Sequence, residues 1–362
     1  MMPRTPHFSR PFPHRFARRL AFFLPILASF ALTACREGPT APTENDPATS
    51  VAAVALGSWI ARADYPTDVW DAASASITNP STLRTTVYVI GGIPRLYGAA
   101  GAITSGVKAY DVSANVWRSK APYPVRVRGT NGAVEINGKI YVSGGFTRRW
   151  DEPHGVYRLE VLRSLYVYDP ATDQWTRRRD MPIAAAQGVS AAYNGMFYVA
   201  TSCYDTAVCG EQYHLGALWR YNPSTDRWVL LSRTPHDPGY GGGGFLGGKL
   251  HLVEDLGATD IYDVATNSWS TGSRRPVRYC TPASTTFQAK LYLVGCRDDL
   301  DDSGVWPMLV FDPKVGSWSQ AAVPPGAATG HRWTLSRVVV NGQPRLELVG
   351  GARPGNNWQF VP

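Results

Sequence analysis

The sequence lacks the short signatures of several common enzyme chemistries. It has no Gly-x-Ser-x-Gly elbow, no His-Glu-x-x-His pair and no phosphate-binding P-loop. Hydrolase, zinc-peptidase and NTPase mechanisms that depend on those motifs are therefore excluded. Cysteine is scarce: five in 362 residues, with no Cys-x-x-Cys to seed a thiolate metal site. Five histidines lie beyond residue 34 (His154, His214, His236, His251 and His331), and no two are close in sequence. The acidic run Asp298-Asp299-Leu300-Asp301-Asp302 lacks the spaced Asp-x-Asp-x-Asp-Gly of a calcium loop and reads as solvated. No catalytic residue, metal or cofactor is expected.

A membrane-spanning run is missing as well. Residues 20–34, LAFFLPILASFALTA, are apolar but too few to cross a bilayer as a permanent helix. They follow a stretch with five arginines (Arg4, Arg10, Arg15, Arg18, Arg19) and no acid, which is the layout of an export signal. The run ends at Leu32-Thr33-Ala34-Cys35, which resembles the lipobox of bacterial lipoproteins. That resemblance implies removal of residues 1–34 and a lipid on Cys35. Residues 36–50 are rich in Pro, Thr and Ala, contain no aromatic, and read with Cys35 as a flexible tether over 35–50. Residues 51–362 are then the folded domain.

Processing reduces the charge. The whole chain has 36 Lys and Arg against 28 Asp and Glu; loss of the five leader arginines leaves 31 against 28, a net of +3. No basic stripe remains, so nucleic acid is not an expected partner. The four cysteines beyond Cys35 form an even set, and in an exported protein that reads as two disulfides. The local pairing is Cys203–Cys209 and Cys280–Cys296.

What the sequence does contain is a repeat. An aromatic residue, then Asp or Asn, then Trp seven positions after the aromatic, occurs five times: Tyr110-Asp111 with Trp117, Tyr168-Asp169 with Trp175, Tyr221-Asn222 with Trp228, Tyr262-Asp263 with Trp269, and Phe311-Asp312 with Trp318. An apolar run precedes each: VYVIGG (87–92), IYVSGG (140–145), FYVATS (197–202), LHLVED (250–255) and LYLVGC (291–296). A sixth, LELVGG (346–351), closes the series. Small-residue pairs that suit tight hairpins stand before several runs: Asn137-Gly138, Asn194-Gly195, Gly247-Gly248 and Asn341-Gly342.

These residues resemble the Kelch repeat, a strand ending in Gly-Gly followed by Tyr-Asp and Trp, over roughly residues 57–362. The resemblance implies an all-β, six-bladed Kelch-type β-propeller. In each blade, strand a lines a channel, b ends at Gly-Gly, c ends at Tyr-Asp and d begins at Trp. The last blade has its c strand at Trp358–Val361 and no d strand after it, whereas Trp59-Ile60-Ala61-Arg62 resembles a d strand without a blade. The N-terminal strand is therefore expected to complete the last blade and close the ring.

The repeated aromatics and glycines read as structure, so function is sought where the repeats differ. They differ most in the b-to-c loops: 146–163, 203–217 and 296–307. These share one face, the top, with the d-to-a loops. The d-to-a loops carry the candidate ligand contacts Arg126, Arg128, Gln187, His236, Tyr240, Arg278, Tyr279, His331 and Arg332. Arg128 and Arg332 each lie nine residues before an Asn-Gly turn, near the expected channel mouth. The reading is a lipid-anchored, extracytoplasmic, non-catalytic scaffold in a bacterial cell envelope, at the outer membrane, facing the periplasm or the cell surface. Its partners would be the membrane, through the anchor, and an unknown protein or small acidic ligand at the top face. The alternative is a sugar-active propeller similar to the sialic acid mutarotases among exported six-bladed Kelch proteins.

Overall fold

The computed structural model describes residues 57–67, 69–94, 102–202, 216–239, 241–254, 257–276, 279–297, 308–324, 333–350 and 357–362. Among these residues every regular element is a strand. Strand β1 is Ser58–Ala61. Blade one is β2 (Ala73–Thr78), β3 (Thr85–Ile90), β4 (Val107–Asp111) and β5 (Val116–Lys120). Blade two starts with β6 (Ala133–Ile136) and β7 (Lys139–Ser143). A separate ribbon, β8 (Phe146–Asp151) and β9 (Val156–Val161), intervenes before β10 (Leu165–Asp169) and β11 (Gln174–Arg178) complete that blade. Blade three is β12 (Val189–Tyr193), β13 (Met196–Thr201), β14 (Ala217–Asn222) and β15 (Arg227–Arg233). Blade four is β16 (Gly242–Leu246), β17 (Lys249–Val253), β18 (Thr259–Asp263) and β19 (Ser268–Thr271). Blade five is β20 (Tyr279–Phe287), β21 (Lys290–Arg297), β22 (Met308–Asp312) and β23 (Ser317–Ala321). Blade six is β24 (Thr334–Val340), β25 (Gln343–Val349) and β26 (Asn357–Val361), with β1 as its outer strand.

Local chemistry accounts for these elements. The second strand of each blade is a continuous apolar run because neighbouring blades cover both its faces; Val87–Ile90, Ile140–Val142 and Phe197–Ala200 are buried throughout. Outer strands show the reverse pattern: in β5, β11 and β19 the residues are exposed or half-buried, with the Trp turned partly inward. Five of the six turns from a to b place both central residues at positive φ: Asn137-Gly138, Asn194-Gly195, Gly247-Gly248, Gln288-Ala289 and Asn341-Gly342. That is the turn whose twist matches a tight antiparallel hairpin.

The blades are stitched together by the repeat residues. The Trp indole N–H of one blade donates to the outer-strand region of the blade before it: Trp117 to Ala63 O at 2.9 Å, Trp175 to Ala121 O at 3.0 Å, Trp228 to Arg179 O at 2.8 Å and Trp318 to Ser273 O at 3.2 Å. Trp269 donates to Ser232 Oγ at 3.0 Å. Trp59 of β1 completes the cycle by donating to Ala322 O at 2.8 Å. The Tyr hydroxyl reaches the residue five positions on, as Tyr110 does to Asn115 and Tyr168 to Asp173. The Asp after it takes the Lys that opens strand b, as in Lys139–Asp169 at 2.7 Å and Lys290–Asp312 at 2.9 Å.

Ring closure is visible at the centre as well. The innermost strands β2, β6, β12, β16, β20 and β24 each pack against the next, and β24 packs against β2. Apolar clusters fill the spaces between blades: one joins Tyr88 and Ile90 of blade one to Ile140 and Tyr168 of blade two, and another joins Tyr292 of blade five to Leu346 and Phe360 of blade six. The six-bladed, N-terminally closed propeller expected from the repeat is the architecture observed.

Candidate binding face

The d-to-a loops of the first three blades form a bonded rim. Asp71, Gly129 and Gln187 occupy equivalent positions, each at positive φ. The Gly129 N–H donates to Asp71 O at 2.9 Å, and the Gln187 N–H donates to Gly129 O at 2.9 Å. A Cβ added at Gly129 would fit closely, 3.2 Å from Gln187 Cγ and 3.3 Å from Phe146 Cδ2, so the glycine suits the crossing of these loops. Each loop is thus positioned by its neighbour rather than by its own hairpin.

Arg128 is part of this rim. Its guanidinium pairs with the Asp71 carboxylate at 2.9 Å and lies over the Phe146 ring, 5.2 Å from the centroid. The Asp71 side chain is only 6% exposed, so the pair holds a nearly buried carboxylate. Arg126, two residues away, is exposed with no partner among the described residues. His236 sits on the next described rim loop. Its backbone N–H and Nδ1 both engage Asp260, at 3.1 and 2.9 Å, and Asp260 is buried. Both His236 and Arg128 are thereby oriented by a buried carboxylate one blade-edge away. His251 is a core residue instead: buried, bonded to Lys249 O, and held toward its neutral form by desolvation.

The structure brings Arg128, Gln187 and Asp71 together and sets His236 apart with Asp260. Tyr240, Arg278, His331 and Arg332 lie outside the described residues, as do Cys35, Cys203 and Cys209. Tyr279 and Cys280 open β20, and Cys296 faces Cys280 directly across the β20–β21 register.

Below the rim runs a channel with two described chambers. The upper, about 170 Å³, is lined in part by Thr130, Asn131 and Trp333. The lower, about 390 Å³, is lined in part by Ser76, Glu135, Tyr193, Thr286 and Arg337. Ser74, Ala133, Ser190, Ser284 and Leu335 belong to both walls and mark the waist. Two of the three waist serines tie blades together: Ser74 Oγ lies 3.2 Å from Ser336 Oγ, and Ser284 Oγ accepts from the Gly243 N–H at 2.9 Å. Sequence reasoning missed this ring. The serines sit at matching places in the inner strands, but those strands carry no strong motif. Arg128, Gln187 and His236 line neither chamber.

The b-to-c insertion of blade two is the other feature of the face. It folds as the β8–β9 ribbon, a two-stranded sheet outside the six blades. Trp150 and Tyr157 are register partners near its tip, with ring centroids 5.0 Å apart, and are 43% and 66% exposed. The sequence marks this stretch only as an insertion between repeats; the hairpin is seen in the structure.

Residues 128–182 match the Kelch motif, spanning blade two from Arg128 to the segment after β11. The fold is a Kelch-type propeller. Similar proteins carry the same description. The chain is 31% identical over 224 residues to an F-box/kelch-repeat protein of Arabidopsis thaliana, covering 60% of each. It is 25% identical over 246 residues to the Kelch-like protein terF of Aspergillus terreus, covering 64% of this chain and 52% of that one. It is 25% identical over 268 residues to human Kelch-like protein 23, covering 71% and 42%. The chain therefore spans about 60% or less of the length of these relatives. Among solved structures it superposes on YjhT with a TM-score of 0.60 at 17% identity, over 82% of this chain and 95% of that one, a likeness of fold. In this propeller the elaborated face is the one bearing the ribbon and the bonded rim.

Proposed function

We propose that this Kelch propeller is a lipid-anchored extracytoplasmic scaffold that binds a protein through its top face. The observation that carries the reading is the asymmetry of the two faces. The lower face is built from two-residue turns such as Asn137-Gly138 and Asn194-Gly195, whereas the top carries a projecting ribbon with exposed Trp150 and Tyr157. Large aromatics left in water on an otherwise well-buried fold mark interaction sites. The Kelch-repeat character of its relatives supports the same use. Export and anchoring rest on the residue 1–34 leader and on Cys35. Arg36 in the next position differs from the Asp that retains many such proteins at the inner membrane, which favours the outer one.

Two measurements test this. Cys35→Ala should move the protein from the membrane fraction to the soluble periplasm; retention in the membrane overturns the anchor. A photo-crosslinker at Arg126 on the rim should attach a partner that one at Gly138 on the lower turns does not. Attachment only at Gly138, or at neither position, overturns the top-face reading.

A second reading, sugar chemistry in the channel, is favoured by one observation. The lower chamber of about 390 Å³ is lined by Ser, Thr and Tyr hydroxyls with Glu135 and Arg337, a wall suited to a hydroxylated ligand. Calorimetry with neutral and acidic sugars tests it directly, and absence of heat with both removes it.

A further inference from the structure

The β8–β9 ribbon pairs with no third strand, and the outer edge of β8 has a defined direction. Phe146 exchanges both its backbone hydrogen bonds with Arg128, at 3.0 and 2.8 Å, so its N–H and C=O point away from β9. Successive residues of a strand bond to opposite sides, so the N–H and C=O of Arg148 and Trp150 point outward along the same edge. The register agrees. Phe146, Arg148 and Trp150 face Val161, Leu159 and Tyr157 in pairs not bonded to each other, the closer kind, and Trp150 and Tyr157 are in ring contact. The rim at Arg128 is thus the first rung of a ladder that stops after one bridge.

We propose that the outer edge of β8 is a strand-addition site for an extended acidic segment of a partner protein. The inference deepens the protein-binding reading above and rests on it. A ribbon of two strands is marginal alone, and a third strand supplies the missing pairing. Charge identifies the incoming strand. Arg148 and Arg149 project to opposite faces of β8, are exposed, and have no ion-pair partner among the described residues. The one carboxylate on β8, Asp151, is already taken by Arg158 and His154. A strand laid along this edge meets unpaired positive charge on both faces and the Trp150 ring on one, which matches acidic residues with an apolar contact. Pairing of β8 with β8 of a second copy would set arginines against arginines, which disfavours self-association at this edge.

The test uses the full chain and three short synthetic peptides. One alternates glutamate and valine, the second has lysine for glutamate, and the third is the glutamate peptide with prolines at alternate positions. Calorimetry and amide exchange are read together. The glutamate peptide should bind, weaken with salt, and slow exchange at the Arg148 and Trp150 amides; the lysine and proline peptides should do neither. The double variant R148E/R149E, confined to exposed positions, should retain the melting temperature. It should lose at least about tenfold in affinity for the glutamate peptide, the size of one charge-assisted contact, and gain binding of the lysine peptide. The proposal is overturned by no binding of the glutamate peptide at about 1 mM, the weak limit of specific recognition. Binding that survives R148E/R149E, or that leaves those amides unprotected, overturns it too. So does a dimer seen by sedimentation and lost in R148E/R149E. Photo-crosslinkers at Thr147 and at Asp237 on another rim loop separate the two readings. Attachment at Asp237 alone removes the edge and leaves the scaffold, and attachment at neither removes both.

Discussion

Trp59 of β1 lies directly opposite Phe360 of β26, with ring centroids 5.1 Å apart and its indole N–H bonded to Ala322 O. The same register sets Tyr110 against Trp117, Tyr168 against Trp175 and Phe311 against Trp318. The sixth aromatic–Trp pair of the ring is therefore assembled from segments far apart in sequence, and it clasps the propeller shut.

Removing that clasp should weaken the whole ring. Trp59→Ala deletes a half-buried indole and its hydrogen bond, at a cost of about 3 kcal/mol, the low end for loss of a large aromatic. Trp150→Ala on the exposed ribbon, outside the six blades, should cost less, about 0.5 kcal/mol. Denaturant midpoints of the two variants check this; equal losses would mean that β1 does not close the ring.

Stability should depend on pH through Glu347. This side chain is buried in blade six beside Gln359, whose Nε2 donates to it at 3.0 Å, and near Arg62, Arg345 and Asn357. Burial outweighs those partners and raises its carboxyl to about 7 from an ordinary 4.5. The folded protein thus holds this proton more tightly than the unfolded chain does. The contribution is fully present below about pH 4.5 and is lost as pH rises through about 7, by on the order of 3 kcal/mol. Thermal melts from pH 5 to pH 8.5 should show that decline, and Glu347→Gln should flatten it. A variant with the same slope as the parent would assign the dependence elsewhere.

Cys280 and Cys296 are register partners on β20 and β21, on either side of the Gln288-Ala289 turn. Directly opposed strand positions come close to the separation a disulfide needs. Non-reducing peptide maps of protein matured in the periplasm should recover 280–296, and Cys280→Ser should cost about 3 kcal/mol under oxidising conditions. The same maps should recover 203–209. Free thiols at all four positions would remove both pairings and the compartment inferred from them.

Arg128 allows a structural role to be told from a ligand role. Arg128→Ala leaves the Asp71 carboxylate nearly buried without its guanidinium and strips the Phe146 face, which should cost about 1–3 kcal/mol. Denaturant unfolding measures it. An unchanged midpoint combined with weaker binding of an acidic sugar would instead make Arg128 a ligand contact.

Much of this was legible in residue order, and the rest had an identifiable reason not to be. Glycines, turn pairs and the aromatic–Trp interval act over a few positions, and each enforces the same local geometry wherever it recurs. Gly91 and Gly144 illustrate this: both sit at positive φ where a Cβ would strike a backbone carbonyl of the d-to-a segment that follows. Their repetition carried the blade count, and the incomplete blades at 57–62 and 346–361 carried the closure. The partners of candidate site residues were not legible. Arg128 meets Asp71 only because adjacent blades bring separate loops to one rim, and His236 meets Asp260 only because its loop folds onto strand β18.

The sequence by itself determined the strands, their turns, the number of blades and the places where the repeat is interrupted, because those depend on short-range sterics and on burial along each strand. Tertiary structure alone decided which polar groups meet. It set the serines at the waist of the channel, buried Glu347 at the closing seam, and stood the β8–β9 ribbon off the ring as a separate two-stranded sheet. Those outcomes turn on the angle and separation of whole blades, which packing between sheets sets and which no local pattern encodes.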